Sequence, residues 1–529
     1  MLNIGPSSSL MLSHLDVTAP TISTFFLFNL LCTTVVTAFC ITKFIKNKLI
    51  MGRLYFTFMA LMCLFYQIPL AIFSYQVEVS LNNPWKYALS VNFGTLGLLV
   101  WGMLSHRLDT RGTTLSFPEN MRTIYLTTGA VGLILILTYF QGVPWDCTGL
   151  YAIIYDPWMT LIAREFSVKL VGASAATYSI GANANAVAPL FILLSLWLAR
   201  NCLFKRKIIG LLAFIICGFL AIVSVIISGT KGLLMPSLIM LVVGAYYWSP
   251  NWIIRISAIS FSVFFMMGSI VSFEFLKDRG SEFGGSYDFA SCSSRAGTCE
   301  KSQKLLNSLK GHNYSLGVPG YMIPKIETRL NCLCSGETEQ SLCPEATFES
   351  GNGYKLDVGL DLPSRTIIGY VSSIFYRILV TPLQVSVWHY MYAETENVDG
   401  LKTLPLSKRI YGDSLNMPEL VYQKYASVYF GGDRTSTGTS PTGFFLSYSA
   451  YVGWIGFLIS LVLIIGLDSV FVFISKLLNQ SLYPVLIGIV SIISMNFIVS
   501  DFLTVLISHG GAVGIFMVII YIILKKKSV

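Results

Sequence analysis

Five basic residues of this chain stand where a phosphate could be gripped: Arg164, Lys231, Arg279, Arg365 and Arg377. Two of them share the stretch DLPSRTIIGYVSSIFYRILVTPLQVSVWHYMYAETE, Asp361 to Glu396, with Arg365 at its start and Arg377 in its middle. Twelve residues of helix separate two positions by about 18 Å, so the two arginines suit different subsites of one groove. A guanidinium in apolar surroundings needs an anionic partner or an escape to water. Its planar fork fits a phosphate through two parallel hydrogen bonds. For each of the five the plain alternative is an interfacial anchor or an internal salt bridge.

Were a hydroxyl to react beside such a phosphate, it would need a proton acceptor, and a carboxylate or imidazole within hydrogen-bond reach is the usual solution. His389, Asp361 and Glu274 are the candidates, with His389 twelve residues beyond Arg377. Packing is the alternative for an aromatic-flanked histidine, and arginine-assisted chemistry without a dedicated base is another route. Tyr411, Tyr425 and Tyr429, followed by GGDRTSTGTSP, would suit a sugar-binding rim or a simple cap over the groove.

The elements that must position these groups are membrane helices. Hydrophobic residues make up 54% and charged residues 12% of 529, and apolar runs of about 17 to 25 residues recur, each enough for one span. We place eleven spans near 23–42, 54–73, 87–105, 123–140, 183–199, 208–228, 233–248, 253–273, 442–465, 482–500 and 503–524. The first has no small-residue cleavage site after it and reads as a retained span. The predicted organisation is a membrane domain over 1–273 with an external segment at 141–181, a large external loop over 274–441, and a second membrane domain over 442–529.

With the N-terminus outside, the inner connections hold 16 of the 36 basic residues and the short outer ones hold 4, Lys86, Arg164, Lys169 and Lys231. The excess fixes one orientation, with the C-terminus inside. The net charge of +9 is therefore an orientation signal and not a nucleic-acid footprint. The long loop carries the remaining 16 basic residues beside 18 acidic ones, so its arginines are individual placements and not part of a positive field. A further crossing by 366–393 would flip every later connection, which makes that segment an external or re-entrant helix; an ordinary twelfth span is the alternative. Asn183 and Asn185 follow a run of small residues that lets helices approach closely, and packing is the reading favoured for them.

Six of the 11 cysteines lie on the outer side: Cys147, Cys292, Cys299, Cys332, Cys334 and Cys343. An even external set implies disulfides and an oxidising compartment, with the 15 pairings left open. A zinc site from LNCLC and Cys343 is the rival, but no histidine stands at ligand spacing.

Four stretches resemble the Wzy-type O-antigen polymerases, the oligosaccharide repeat-unit polymerases of bacterial surface polysaccharides: LIAREF at 161–166, SGTKGLLMP at 228–236, YRILVTP at 376–382 and GTSPTGFFLSYSAYVGWIGF at 438–457. The resemblance implies an all-α polytopic membrane protein of GT-C-like architecture with a large periplasmic loop domain, in the bacterial inner membrane, its active site facing the periplasm. It implies a metal-independent glycosyltransferase with no cofactor, moving a growing glycan from its undecaprenyl-pyrophosphate carrier onto a new lipid-linked repeat unit. Arg164, Lys231, Arg279, Arg365 and Arg377 would then hold pyrophosphate. Partners would be lipid-linked glycans and membrane lipid, with a chain-length regulator and a flippase as protein partners. The competing expectations are an O-antigen ligase and a lipid-linked oligosaccharide flippase or other transporter.

Overall fold

The structure is a computed structural model that describes residues 23–106, 121–156, 159–167, 175–229, 234–248, most of 252–264, 287–310, 322–335, 343, 380–396, 398–404, 415–426, 440–478 and 482–526. Every regular element among them is helical. In chain order the helices are α1 (Thr24–Lys46), α2 (Leu54–Ile72), α3 (Ser74–Ser80), α4 (Pro84–Leu104), α5 (Met121–Gly142), α6 (Gly149–Tyr155), α7 (Thr160–Glu165), α8 (Ala175–Cys202), α9 (Ile208–Ile226) and α10 (Leu234–Trp248). There follow α11 (Phe289–Arg295), α12 (Cys299–Lys310), α13 (Met322–Ser335), α14 (Thr381–Thr395), α15 (Met417–Val421), α16 (Phe444–Val452), α17 (Trp454–Leu477), α18 (Tyr483–Val499), α19 (Phe502–Leu506) and α20 (Gly511–Lys526).

Seven of these, α1, α2, α4, α5, α8, α9 and α17, are long and apolar enough to cross a membrane, and α10, α18 and α20 contain shorter apolar helices. The protein is an all-α, multi-pass membrane protein. Leu31, Ile209, Val462 and Phe473 are exposed on spanning helices, which gives those faces to lipid, since apolar side chains there meet hydrocarbon and not water. By contrast α18 is buried nearly all round, the pattern of a central helix.

Two expected spans are cut by glycine. The run at 442–465 breaks at Gly453, whose φ of 71° and ψ of −144° belong to a region that glycine enters without a Cβ clash. The spanning helix is α17, and α16, nine residues long, is a separate short helix. Hydropathy is blind to this break because apolar residues continue on both sides of it. Likewise 503–524 divides into α19 and α20 around Gly510, at φ 71°. Most of 253–273 lies outside the described residues.

By its contacts the chain groups into two compact units that interleave in sequence. The first contains 1–117, 361–434 and 438–506; the second contains 118–360, 435–437 and 507–529. The long external loop is thus divided, with α11 to α13 in the second unit and α14 in the first.

In the first unit a buried ion pair joins two spans. Arg53, just before α2, donates from Nη2 to Asp468 Oδ2 of α17 at 2.8 Å and from Nε to both carboxylate oxygens at 3.3 Å. Arg53 Nη2 also donates to Ser105 Oγ at 2.8 Å, and Trp101 Nε1 donates to Asp468 Oδ2 at 2.9 Å. Arg53 and Asp468 are 2% and 0% exposed, so the arginine that reads as an orientation charge is also a structural partner.

In the second unit the short helices α6 and α7 and the cysteine-bearing cap share one core. Leu150, Ile162 and Phe166 pack with Phe289, Leu306 and Leu330, the rings of Phe166 and Phe289 meeting edge-on at 6.2 Å. The outer cysteines pair as Cys147–Cys292, Cys299–Cys334 and Cys332–Cys343, which leaves none of the six for zinc. Only the first joins the cap to the membrane part, across 145 residues, and beside it Arg295 Nη2 bonds Asp146 Oδ2 at 2.6 Å. Within the cap, Asp288 accepts from Ser291 N at the start of α11 and pairs with Arg329 at 2.5 Å.

Candidate functional site

LIAREF, through the residue that follows it, and SGTKG approach each other in the second unit, and the helix that begins within YRILVTP meets the GTSPTGFF stretch in the first. In the second unit LIAREF forms most of α7 and runs on to Ser167. The Ser167 hydroxyl donates to the Arg164 carbonyl at 3.2 Å and reaches the Ser228 carbonyl at 3.4 Å. Ser228 and Gly229 begin the SGTKG stretch, and α6 reaches the residue before it: Leu150 N donates to Ile227 O at 2.9 Å. A Cβ at Gly149 would strike the Ser228 carbonyl, so this backbone approach requires glycine. The helix bearing half-buried Arg164 is therefore joined through Ser167 to Ser228, three residues before Lys231 in the sequence. Lys231 itself lies outside the described residues.

In the first unit α14, which begins within YRILVTP, meets the GTSPTGFF stretch through His389. Its Nε2 lies 2.7 Å from the Ser440 carbonyl and its Nδ1 2.8 Å from the Tyr451 hydroxyl. A carbonyl only accepts, so the proton sits on Nε2 and Tyr451 donates to Nδ1. Burial holds the Tyr451 phenol above its usual range, in keeping with that donor role. Burial likewise drives the imidazole down to about 4, against the Ser440 carbonyl, which favours the protonated form. His389 is neutral near pH 7 and 1% exposed, and to accept a proton on Nδ1 it must first release Tyr451. The helix is anchored at its far end too, where Glu394 accepts from Asn82 N and Asn83 N at 2.9 and 3.0 Å.

Tyr425 is half-buried beside Tyr392 of α14. Lys424 Nζ stands 5.2 Å from the Tyr392 ring centroid and 5.6 Å from that of Tyr425 and pairs with Glu396 at 2.5 Å. One face of each ring therefore meets a cation, and both rings pack against the small core of Val385, Trp388, Val421 and Ala426. Arg279, Arg365, Arg377, Glu274, Asp361, Tyr411 and Tyr429 lie outside the described residues.

Sequence reading passed over Asp156, at the turn between α6 and α7. It is 1% exposed, its Oδ1 meets no hydrogen-bond partner, and burial pushes its carboxyl up to about 7 against a backbone hydrogen bond from Met159. Nothing in the residues around Asp-Pro-Trp separates it from an ordinary turn aspartate. A carboxyl poised there can hold or release a proton near neutrality, on the external segment that carries Arg164.

The sign of its effect on stability follows from linkage. Between the unfolded value near 3.8 and about 7, the folded state binds more protons, so stability falls as pH rises through that window, by about 1.4 kcal/mol per pH unit. Asp156→Asn, which removes the charge and keeps the shape, is expected to raise the thermal midpoint at pH 8 and to match wild type below pH 4. A lower midpoint at pH 8 would mean that the carboxylate is paired when charged.

Asn183 and Asn185 are buried in a π-helical turn of α8, Asn183–Val187. Asn183 Nδ2 donates to Ser224 Oγ at 3.1 Å and Asn185 Nδ2 to Gly181 O at 3.0 Å, the packing arrangement expected of them. Comparison with protein-family models, with curated proteins and with solved structures found no match.

Proposed function

We propose that the protein polymerises undecaprenyl-pyrophosphate-linked oligosaccharide units at the outer face of the bacterial inner membrane. In that reaction an acceptor sugar hydroxyl attacks the anomeric carbon of the donor glycan. The bond to the carrier pyrophosphate breaks with its electron pair leaving on the pyrophosphate, and the hydroxyl proton passes to a base. Fixed cations in a water-poor groove stabilise the departing charge without a metal. The observation that carries this reading is the junction through Ser167 of the Arg164 helix with Ser228, three residues before Lys231 in the sequence, in the core shared with the disulfide-closed cap. It supports two cations from distant sequence acting on one diphosphate.

Deletion of the gene followed by gel analysis of surface polysaccharide tests it. Loss of a polymerase leaves core capped by a single repeat unit, and loss of a ligase leaves naked core. When complemented with Arg164→Ala or Arg377→Ala, the strain is expected to extend chains about 10²–10³-fold more slowly at unchanged protein level. Normal ladders from either variant would remove that arginine from the site.

A lipid-linked oligosaccharide transporter is the second reading, and one observation favours it. Two spans, α2 and α8, are interrupted by π turns at Cys63–Gln67 and Asn183–Val187, with buried amides at both. Interrupted polar helices are characteristic of transporters. Accumulation of single lipid-linked units on the cytoplasmic leaflet of the deletion strain would select it.

A further inference from the structure

In the second unit an apolar face lies outside the spanning helices. Trp145, between α5 and α6, is 45% exposed, and on α6 itself Ile154 and Tyr155 are 53% and 48% exposed. The rings run on from one another: Trp145 meets Tyr151 edge-on at 6.3 Å between centroids, and Tyr151 meets Tyr155 at 4.5 Å. Ile154 and Tyr155 stand three and four residues beyond Tyr151, which places all three on one face of the helix. Leu150 and Ala152 of the same helix are buried in the core shared with the cap.

The level of this face is set by two spans. Trp145 comes three residues after the end of α5, and Val143 N still bonds Tyr139 O at 3.0 Å. Leu150 N donates to Ile227 O at 2.9 Å, one residue past the end of α9, and Gly149 lies so close that a Cβ there would strike the Ser228 carbonyl. The first turn of α6 is thus tied to the C-terminal ends of α5 and α9. Both spans expose apolar side chains to lipid, Leu126, Leu133 and Leu137 on α5 and Ile209 and Leu220 on α9.

We propose that Trp145, Tyr151, Ile154 and Tyr155 dock on the headgroup boundary of the bilayer, which makes α6 an interfacial helix. Lipid that covers α5 and α9 reaches its headgroups where those helices end, since 22 residues of α5 rise about 33 Å against a hydrocarbon core of about 30 Å. Seven residues rise only about 10 Å, so α6 lies along the surface and does not cross. Indole and phenol rings join an apolar body to a polar tip and collect where hydrocarbon gives way to water, whereas Ile154 gains nothing from water alone. Asp146, the charged neighbour of Trp145, is paired with Arg295, which removes the charge that would oppose contact with lipid. The docking holds for either reading of the function.

Fluorescence of the full-length protein in phosphatidylcholine nanodiscs tests this face, with bromine on the acyl chains as a contact quencher. Trp145 is one of nine tryptophans, so its signal is the difference between wild type and Trp145→Phe. Ile154→Trp, which adds an indole to the same face, gives a second reading by gain. Bromine near the headgroup end is expected to quench both signals about twofold or more beyond bromine near the chain ends, and beyond iodide in the aqueous phase, as a depth of about 5–10 Å requires. No quenching by either lipid would overturn the proposal, as would stronger quenching from the chain ends, which belongs to a buried span, or from iodide. A signal indifferent to brominated lipid but shifted by a soluble oligosaccharide would overturn it in favour of a glycan-binding face.

Discussion

Asp468→Ala is expected to cost about 3–5 kcal/mol, the penalty for stranding a buried charge by removing its partner. Arg53 is 2% exposed and takes both carboxylate oxygens, so its guanidinium would keep Ser105 and the Tyr55 ring as neighbours but lose this carboxylate in a low-dielectric interior. Trp101 Nε1 and Tyr55 N would lose their acceptor as well. Thermal unfolding in detergent, followed by size-exclusion chromatography with fluorescence detection, would read the loss. The double replacement Arg53→Met with Asp468→Leu is expected to recover most of it, because desolvation of the pair consumes much of its Coulomb energy. A midpoint for Asp468→Ala within 1 °C of wild type, an interval of about 1 kcal/mol for a chain of this length, would show that the guanidinium finds water or another anion.

The second large effect is expected at Cys147–Cys292. In the chain-entropy account, closing a loop of 145 residues restrains the unfolded chain by about 5 kcal/mol. The bond is also the one covalent link between the cap and the segment that leads to α7. Cys147→Ser with Cys292→Ser should therefore lower stability, and should loosen the cap, leaving the shared core and the Arg295–Asp146 pair to hold it against the helix carrying Arg164. Limited proteolysis checks the second point: cleavage is expected to accelerate in 287–335 of the double variant and to stay unchanged in α18. Removal of Cys299–Cys334 or Cys332–Cys343, which close loops of 35 and 11 residues within the cap, should cost less. Equal losses from all three would contradict the loop-length argument and place the stabilisation in local packing.

Both effects rest on partners that no local pattern reveals. Arg53 reads as one more inner-side cation and Asp468 as an isolated acid in an apolar helix; 415 residues lie between them. The six outer cysteines are legible as a disulfide set because even number, compartment and loop composition are local properties, but their pairing is not. His389 is legible as an imidazole close to Arg377, yet its tautomer depends on Ser440 and Tyr451, more than 50 residues away. Asp156 had no signal at all, since desolvation belongs to the fold and not to the residue.

Composition and hydropathy alone determined that this is a helical membrane protein with a disulfide-forming set of cysteines, and they located most of the seven helices long and apolar enough to cross a membrane. Those properties are sums over neighbours in the chain, and a bilayer imposes them segment by segment. Tertiary structure alone decided where Gly453 and Gly510 divide apolar runs, which cysteines join, and that Ser167, after LIAREF, bonds Ser228 while α14 docks through His389 on Ser440 and Tyr451. Each of these is a choice among distant partners, made by shape, burial and hydrogen-bond satisfaction, and such choices leave no periodic trace in the sequence.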